Sequence, residues 1–157
     1  MQLVRRTNQM RDKKNIDMQE LIFLIFHNIS KIHGRTYLQK LIFIIQNELK
    51  ISKFNYDAYF YGPYSKELND EMAELVKSGL LKETIQTTKD GTEYYSYSLT
   101  PQGERYYMEQ IEKNIDTKLK EKIEEICNRF RSFTPTQLLK FVYQLYPKSA
   151  SKSVFFD

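Results

Sequence analysis

Two β-rich runs separated by a tight turn constrain the fold of this 157-residue chain more than any other feature. The runs are Leu80 to Thr88 and Tyr94 to Leu99, and the segment between them contains Asp90-Gly91. An Asp-Gly step between such runs is a strong local signal for a β-hairpin. Because most of the remaining apolar residues have helical spacing, we expect a small sheet packed among helices.

Helical segments lie on both sides of this hairpin. Asp17-Met18-Gln19-Glu20 and Thr134-Pro135-Thr136-Gln137 both have the capping-box pattern, so they mark the start of the first and the last helix. Gly34 is expected to end the first helix, and residues 54–61 suit a short strand. The predicted helices cover, in order, residues 17–33, 36–50, 63–77, 101–130 and 134–146.

This order of elements predicts a mainly α (α+β) fold, a winged helix-turn-helix with a short β-hairpin wing and a C-terminal helical extension. The strand near residues 54–61 would be the third member of the small sheet. The chain then divides into a basic flexible tail, a winged-helix core, the C-terminal helical extension and a frayed C-terminus, at residues 1–14, 15–100, 101–147 and 148–157.

The inventory of reactive side chains is poor. The chain has one cysteine, Cys127, and two histidines, His27 and His33, whose spacing of six residues does not place them on one helix face. No glycine-rich phosphate loop and no nucleophile elbow occurs. We therefore expect a non-enzymatic protein with no metal and no cofactor. Cys127 is expected to pack as a small hydrophobe, His27 to be half-buried and His33 to lie at the surface.

Hydropathy gives no sign of a membrane protein. The longest unbroken apolar run, Leu21 to Phe26, has six residues, whereas a membrane-spanning helix needs ~20. No charged-then-apolar signal sequence opens the chain. A cytoplasmic protein that makes no membrane contact is therefore expected.

The net charge of +4 is concentrated at the N-terminus. Residues 1–14 contain five basic side chains and one acid, and in the rest of the chain positive and negative groups balance. A short basic arm can follow DNA phosphates, each contact releasing a counterion, and Arg5 and Arg6 are its best candidates. The alternative is a passive solubilising terminus.

Apolar residues recur every three or four positions along the predicted long helix, which has about thirty residues. This stripe is longer than one small domain can cover, and an uncovered apolar face usually marks an interface. We therefore predict a homodimer built on the stripe, with packing of the last helix onto it as the intramolecular alternative. The candidate interface residues are Met108, Ile111, Ile115, Leu119, Ile123, Ile126 and Phe130.

A pair of sequence motifs indicates a family resemblance. The segment GRTYLQKLIFIIQ is followed by FYGPYSKELNDEMAELVKSGLL. In this pattern a Gly-x-x-x-Leu-Gln-Lys-Leu helix precedes a Tyr-Gly-Pro-Tyr-Ser turn, and it resembles the uncharacterised YwgA-type winged-helix family and, more remotely, the Panacea antitoxin domain. The resemblance spans roughly residues 17–146, because YSLTPQGERYY and LLKFVYQLYPKSASKS also fit. It implies a winged-helix fold and little about function.

The motif also has a physical interpretation of its own. Leu38 and Leu41 are expected to pack inward, Lys40 to point outward and Gln39 to bond a neighbouring backbone. Residues 62–65, Gly-Pro-Tyr-Ser, form a tight turn that fixes the start of the third helix. Two interpretations stay open. The motif is a folding signature, or it is a docking surface around Tyr61, Tyr64, Ser65 and Lys66.

Function is predicted from the fold only by association. The leading hypothesis is a DNA-binding, transcriptional-regulator-like protein that contacts double-stranded DNA. The alternative is a protein-interaction module, antitoxin-like or a scaffold subunit, that uses the same fold to bind a protein partner. The predicted third helix weakens the first hypothesis. It contains two lysines and four acids, whereas a helix that approaches DNA phosphates usually carries basic or neutral polar side chains. The candidate DNA-binding or partner-binding residues are Arg5, Arg6, Lys40, Tyr61, Tyr64, Ser65, Lys66, Asn69 and Lys89.

Overall fold

The fold is a mixture of helices and small antiparallel sheets, so the α+β prediction is confirmed. A computed structural model describes residues 16–59 and 62–150. The helices are α1 Met18–Asn28, α2 Arg35–Leu49, α3 Lys66–Lys77, α4 Pro101–Tyr106, α5 Thr117–Phe130 and α6 Pro135–Leu145. The strands are β1 Ile32–His33, β2 Asp57–Tyr59, β3 Gly62–Tyr64, β4 Leu81–Thr87 and β5 Glu93–Leu99.

The first helix is the central element of the core. The predicted capping box is present, because the Glu20 amide donates to Asp17 Oδ1 at 2.8 Å and the Asp17 amide donates to Glu20 Oε1 at 3.0 Å. All six residues from Leu21 to Phe26 are buried, as expected for a helix that is apolar nearly all round. The helix ends at Asn28, however, and not near Gly34 as predicted. The buried Ile32 instead joins a short strand, β1.

The predicted hairpin is confirmed, but the third strand of its sheet is not the one expected. β4 pairs with β5 from Leu81 opposite Leu99 to Thr87 opposite Glu93. β1 pairs with the other edge of β5, so the sheet order is β1–β5–β4. Residues 54–59 lie outside this sheet, because within the described residues β2 and β3 pair with each other and with no other strand.

The third helix also begins later than predicted. Pro63 lies in β3, and the helix starts at Lys66 after the N-cap Ser65, whose hydroxyl accepts the Leu68 amide at 3.2 Å. Gly62 has a φ of +92°, in the left-handed region that favours glycine.

The predicted helix of about thirty residues is wrong, because the chain breaks between α4 and α5. A π-helical turn covers Tyr107–Ile111, a 3₁₀ turn covers Glu112–Asn114, and Asp116 caps α5. The physical reason is the spacing of the buried residues, which is four at each step. Four residues of an α-helix turn through about 400°, so each step drifts about 40° from the core. The break returns the buried side to the core, and the residues concerned are Gly103, Tyr107, Ile111, Ile115 and Leu119.

The apolar stripe is covered within the chain, which corrects the premise of the predicted dimer interface. Most of the stripe is buried where α5 packs on α1 and α2. Only Met108 is exposed, at 56%. The last helix packs mainly on α2 and reaches the stripe at Phe130, whose ring lies 4.8 Å from that of Phe141. The buried stripe residues are Ile111, Ile115, Leu119, Ile123, Ile126 and Phe130.

The helical extension and the preceding segment share one core. A single hydrophobic cluster contains buried residues from both sides of residue 100. The buried Tyr37 hydroxyl of α2 also donates to the carbonyl of Phe130 at the end of α5, at 2.7 Å. Along residues 16–59 and 62–150, no helix is both long enough and apolar enough to cross a bilayer.

The internal packing of the stripe predicts how a cavity variant behaves. Ile123→Ala should lower the free energy of unfolding by about 2–5 kcal/mol, because it removes a fully buried side chain. Met108→Ala is the matched control and should have little effect. The urea midpoint should not change between two protein concentrations about a hundredfold apart. A midpoint that rises with concentration in the parent chain and not in Ile123→Ala would show that this residue lies in a dimer interface.

Candidate functional site

Gln39 of α2 holds the start of α3 in place. Its Nε2 donates to the Ser65 carbonyl at 2.9 Å, and its Oε1 accepts the Ser65 amide at 2.8 Å. Both residues are buried, so the carboxamide replaces the partners that this stretch of backbone would otherwise lack. The expectation that Gln39 bonds a backbone is confirmed, and the partner lies 26 residues away in sequence.

A second buried glutamine on the same helix, Gln46, also bonds backbone groups, near the beginning of the α2–α3 connection. Gln46 Oε1 accepts the Phe54 amide at 2.7 Å and the Lys53 amide at 3.1 Å, and its Nε2 donates to the Phe54 carbonyl at 3.1 Å. Gln39 and Gln46 are seven residues apart, which places them two turns apart on one face of α2. The two side chains therefore fix both ends of the segment that carries β2 and β3.

Lys40 lies inside the fold, contrary to the prediction that it points outward. Its side chain is 2% exposed, and Nζ donates to the Pro63 carbonyl at 2.9 Å. A Cβ on Gly62 would lie 3.0 Å from Lys40 Cε and 2.5 Å from Leu139 Cδ1, so the backbone packs closely here. Burial lowers the pKa of Lys40 to about 8. These contacts remove Lys40 from the candidate binding residues and favour the folding-signature interpretation of the motif.

The remaining predicted residues of this motif lie around the first turn of α3. Ser65 is buried as the N-cap, whereas Lys66 is exposed and its Nζ lies 2.8 Å from Asp70 Oδ2. Tyr64 and Asn69 are half-buried. A crevice of about 10 Å³ separates Asn69 from the sheet, which is too narrow for a ligand. The N-terminal end of α3 therefore presents a surface and not a pocket.

An arginine that the sequence analysis missed lies beside this surface. Arg35, the first residue of α2, donates through Nε to the Tyr97 hydroxyl at 2.8 Å and stacks 4.0 Å above the Tyr95 ring. Its Nη2 also lies 3.6 Å from Glu83 Oε2, and the Tyr97 hydroxyl donates to the same oxygen at 2.7 Å. The hydrogen bond with Tyr97 raises the pKa of Arg35. The guanidinium is thus already engaged by partners within the chain.

The hairpin adds an exposed apolar side chain to the same side. Ile85 is 60% exposed and lies opposite Tyr95 in the β4–β5 register, so both side chains point to one face. Lys89 is exposed in the turn, beside an Asp90 carboxylate that Thr88 hydrogen-bonds. That hydrogen bond is the main cause of the lowered pKa of Asp90.

We call this surface the α3–wing face. The two elements that form it carry more negative than positive charge, because α3 has two lysines against four acids and the hairpin has two lysines against three acids. Its two central cations, Lys66 and Arg35, are both in ion pairs. The residues that define the face are Arg35, Tyr64, Lys66, Asn69, Ile85, Lys89 and Tyr95.

Three of the predicted binding residues, Arg5, Arg6 and Tyr61, lie outside the described residues. Three members of the face, Arg35, Ile85 and Tyr95, were missed. Arg35 belongs to the quoted GRTYLQK segment, so its place before a helix and after Gly34 was a signal for it. Ile85 alternates with polar residues in a β-rich run, and only the observed register shows that it is exposed.

The described part of the chain offers little for metal or nucleophilic chemistry. It contains no group of three or more His, Cys, Asp or Glu side chains that could hold a metal ion. Cys127 is buried, which raises the pKa of its thiol to about 12. His27 is exposed and not half-buried as expected, and its ring stacks 4.7 Å from that of Tyr107. His33 is at the surface, with Nδ1 2.9 Å from Ser96 Oγ.

These features define a mixed α+β protein whose motif residues are mostly engaged in its own fold. Part of the chain is similar to "Uncharacterized protein YwgA" of Bacillus subtilis (strain 168), at 39% identity over 82 residues. The match covers 52% of this chain and 49% of that protein, so it spans about half the length of each. Over these residues the match supports the predicted resemblance to YwgA-type proteins. No protein-family model matches the chain, and no solved structure does.

The burial of Lys40 predicts a specific pH dependence of stability. Its pKa is about 8 in the folded chain against 10.5 in the unfolded chain, so the unfolded state holds more protons between these values. Stability from this group therefore rises with pH, by about 2 kcal/mol between pH 7.5 and 9.5. Urea unfolding of the parent chain and of Lys40→Met should show the difference, since tyrosine contributions cancel. Parallel curves for the two proteins would contradict the burial of the charge.

Proposed function

We propose that this chain is a non-enzymatic winged-helix protein that binds a protein partner through the α3–wing face. The order of elements supports the winged-helix assignment. Three helices and a short strand precede a hairpin, and the strand β1 lies against the second hairpin strand in a three-stranded antiparallel sheet. The β2–β3 hairpin is then an insertion between the second and third helices.

The observation that carries the proposal is the ion pairing at the start of α3. In a helix-turn-helix this end of the helix approaches DNA bases and phosphates, where cations that are not paired within the protein bind most strongly. Lys66 is instead 2.8 Å from Asp70, and Arg35 is held by Tyr97 and Glu83. The net charge of α3 is −2, which repels duplex phosphate.

The same face has the composition of a protein interface. Tyrosine and arginine are enriched where proteins dock, and here Tyr95 lies opposite the exposed Ile85 while Arg35 stacks on the Tyr95 ring. The neighbouring helix α3 carries four acids against two lysines. Electrostatic complementarity therefore favours a partner with a basic rim and an apolar contact.

In-cell photo-crosslinking tests the proposal. We expect the photoreactive residue p-benzoyl-phenylalanine at position 85 to capture a discrete protein with a basic surface. The same residue at position 145, which is 52% exposed on α6, is the control and should capture none. With the purified partner, Tyr64→Ala should weaken binding by about 2 kcal/mol or more if this tyrosine is a hot spot. Leu145→Ala should leave the affinity unchanged.

DNA binding is the second candidate, and the basic segment 1–14 is the feature that favours it. On that hypothesis a selection from random duplex DNA returns a preferred sequence. Lys66→Ala and Asn69→Ala then each weaken specific binding by ~1–3 kcal/mol. Removing residues 1–14 also lowers the slope of log affinity against log salt by up to about five units. Those results, together with no capture at position 85, would contradict the protein-interaction proposal.

A further inference from the structure

A cleft of about 260 Å³ lies where β1 meets the end of α5 and the start of α6. We call it the β1–α6 cleft. It shares no lining residue with the α3–wing face, and its volume is slightly below the ~300–1,000 Å³ that is usual for small-molecule sites. Its lining has a basic part and an apolar part. The cleft therefore has room for one small molecule that is both charged and apolar.

The basic part of the lining consists of Lys31, His33 and Arg131, all of which are exposed. Among the described residues no acid lines the cleft, and none forms an ion pair with these three side chains. This differs from the α3–wing face, where Lys66 and Arg35 are both paired. The lysine and the arginine give the cleft two positive charges at pH 7, and the imidazole adds a ring nitrogen. Such a group of side chains attracts an anion.

The fold positions two of these side chains through neutral partners. Arg131 Nη2 donates to the Asn28 carbonyl at 3.2 Å and to Asn128 Oδ1. Its Nε and Nη1 have no partner among the described residues, so they remain available to a ligand. His33 is held in a similar way, because its Nδ1 is 2.9 Å from Ser96 Oγ, while its Nε2 has no partner within the described part of the chain. Both side chains are therefore anchored and still offer nitrogen atoms at the cleft.

The start of α6 adds to the positive potential of the cleft. Thr134 and Pro135 line it, and they are the N-cap and the first residue of this helix of 11 residues. A helix N-terminus carries roughly half a positive charge. The first turn of α6, which the structure describes in full, contains no acid that would offset this charge. The backbone and the side chains of the cleft therefore favour the same sign of ligand charge.

The rest of the lining is apolar. Ile29 and Ile32 are buried, whereas Phe133 and Pro135 are half-buried and keep accessible surface. The Phe133 ring is held in place by the Phe130 ring, whose centroid is 5.1 Å away. Accessible apolar surface beside cations suits a ligand that joins an anionic group to an apolar body. An inorganic anion would leave this apolar surface uncovered.

We propose that the β1–α6 cleft binds an organic phosphate monoester. The phosphate lies against Lys31, His33 and Arg131, and arginine in particular binds phosphate oxygens bidentately. The apolar body lies against Phe133 and Pro135. A phosphate monoester carries about −1.5 to −2 charge at pH 7, which matches the lysine and arginine charges better than the single charge of a carboxylate. This site does not depend on the proposed docking of a protein partner.

Four small probes test the site. The full chain, labelled with ¹⁵N, is titrated with phenyl phosphate, inorganic phosphate, phenol and benzoate while amide shifts are followed by NMR. Phenyl phosphate should shift the amides of residues 29–33 and 131–134. It should bind more tightly than inorganic phosphate, which lacks the ring, than phenol, which lacks the charge, and than benzoate, which has a single charge. Shifts centred on another part of the surface, or an affinity no higher than that of any other probe, would overturn the proposal.

Two variants with matched controls locate the phosphate. Lys31→Gln and Arg131→Gln should each weaken phenyl phosphate roughly two- to fivefold, the range of an exposed ion pair, and leave phenol unchanged. Lys140→Gln and Arg105→Gln are the controls, because these exposed cations do not line the cleft. Lys31 has no partner among the described residues, so its replacement should not change the thermal midpoint. Equal phenyl phosphate affinity in the parent chain and both variants, or the same loss in the controls, would exclude the site.

Discussion

The pairing of buried glutamine side chains with backbone is the interaction on which the rest of the structure depends. The connection between α2 and α3 leaves helical geometry, and its buried amides and carbonyls need partners. Gln39 supplies both partners at Ser65, and Gln46 supplies them at Phe54. Because a carboxamide has one donor side and one acceptor side, it can replace a backbone pair at each point. Gln39 thus holds the start of α3, and Gln46 holds the early part of the connection.

The position of Lys40 belongs to the same arrangement. An amine with a 2% exposed side chain is unfavourable unless its protons are bonded, and the Pro63 carbonyl accepts one of them. Proline at this position has no amide to offer, so the carbonyl is the backbone group available for bonding. The Leu-Gln-Lys and Gly-Pro-Tyr-Ser segments are therefore two halves of one contact. Their joint presence in the sequence is explained by this contact within the fold and does not require a ligand.

Local signals in the sequence predicted the elements whose cause is local. The Asp-Gly hairpin and both capping boxes depend on residues within a few positions of each other, and all three are present. The failures have tertiary causes. Ile32 lies in a strand because it pairs with β5, and Lys40 points inward because its Nζ donates a hydrogen bond to the Pro63 carbonyl. The broken helix lies between these cases, since the sequence shows apolar residues every three or four positions, whereas the spacing of four that rotates the buried side away from the core is seen only from which residues are buried.

The candidate site was predicted only in part for the same reason. Ser65, Lys66 and Asn69 do lie at the first turn of α3, as the motif implied. Whether a lysine is free or paired depends on its neighbours in space, and the Arg35–Tyr97–Glu83 contacts join residues up to 62 positions apart. The charge of α3 could be counted from the sequence, whereas the pairing of its cations could not. The pairing of Lys66 and Arg35 within the chain is the reason for proposing a protein partner before DNA as the ligand.

Hydrogen exchange of two backbone amides tests the role of the glutamines most directly. In the parent chain the amides of Ser65 and Phe54 should both be protected, because each donates to a buried side-chain oxygen. Gln39→Ala should reduce protection of the Ser65 amide by about tenfold or more and leave the Phe54 amide unchanged, and Gln46→Ala should do the reverse. Equal protection of both amides in both variants would contradict the account, because the connection would then be held in place without these side chains.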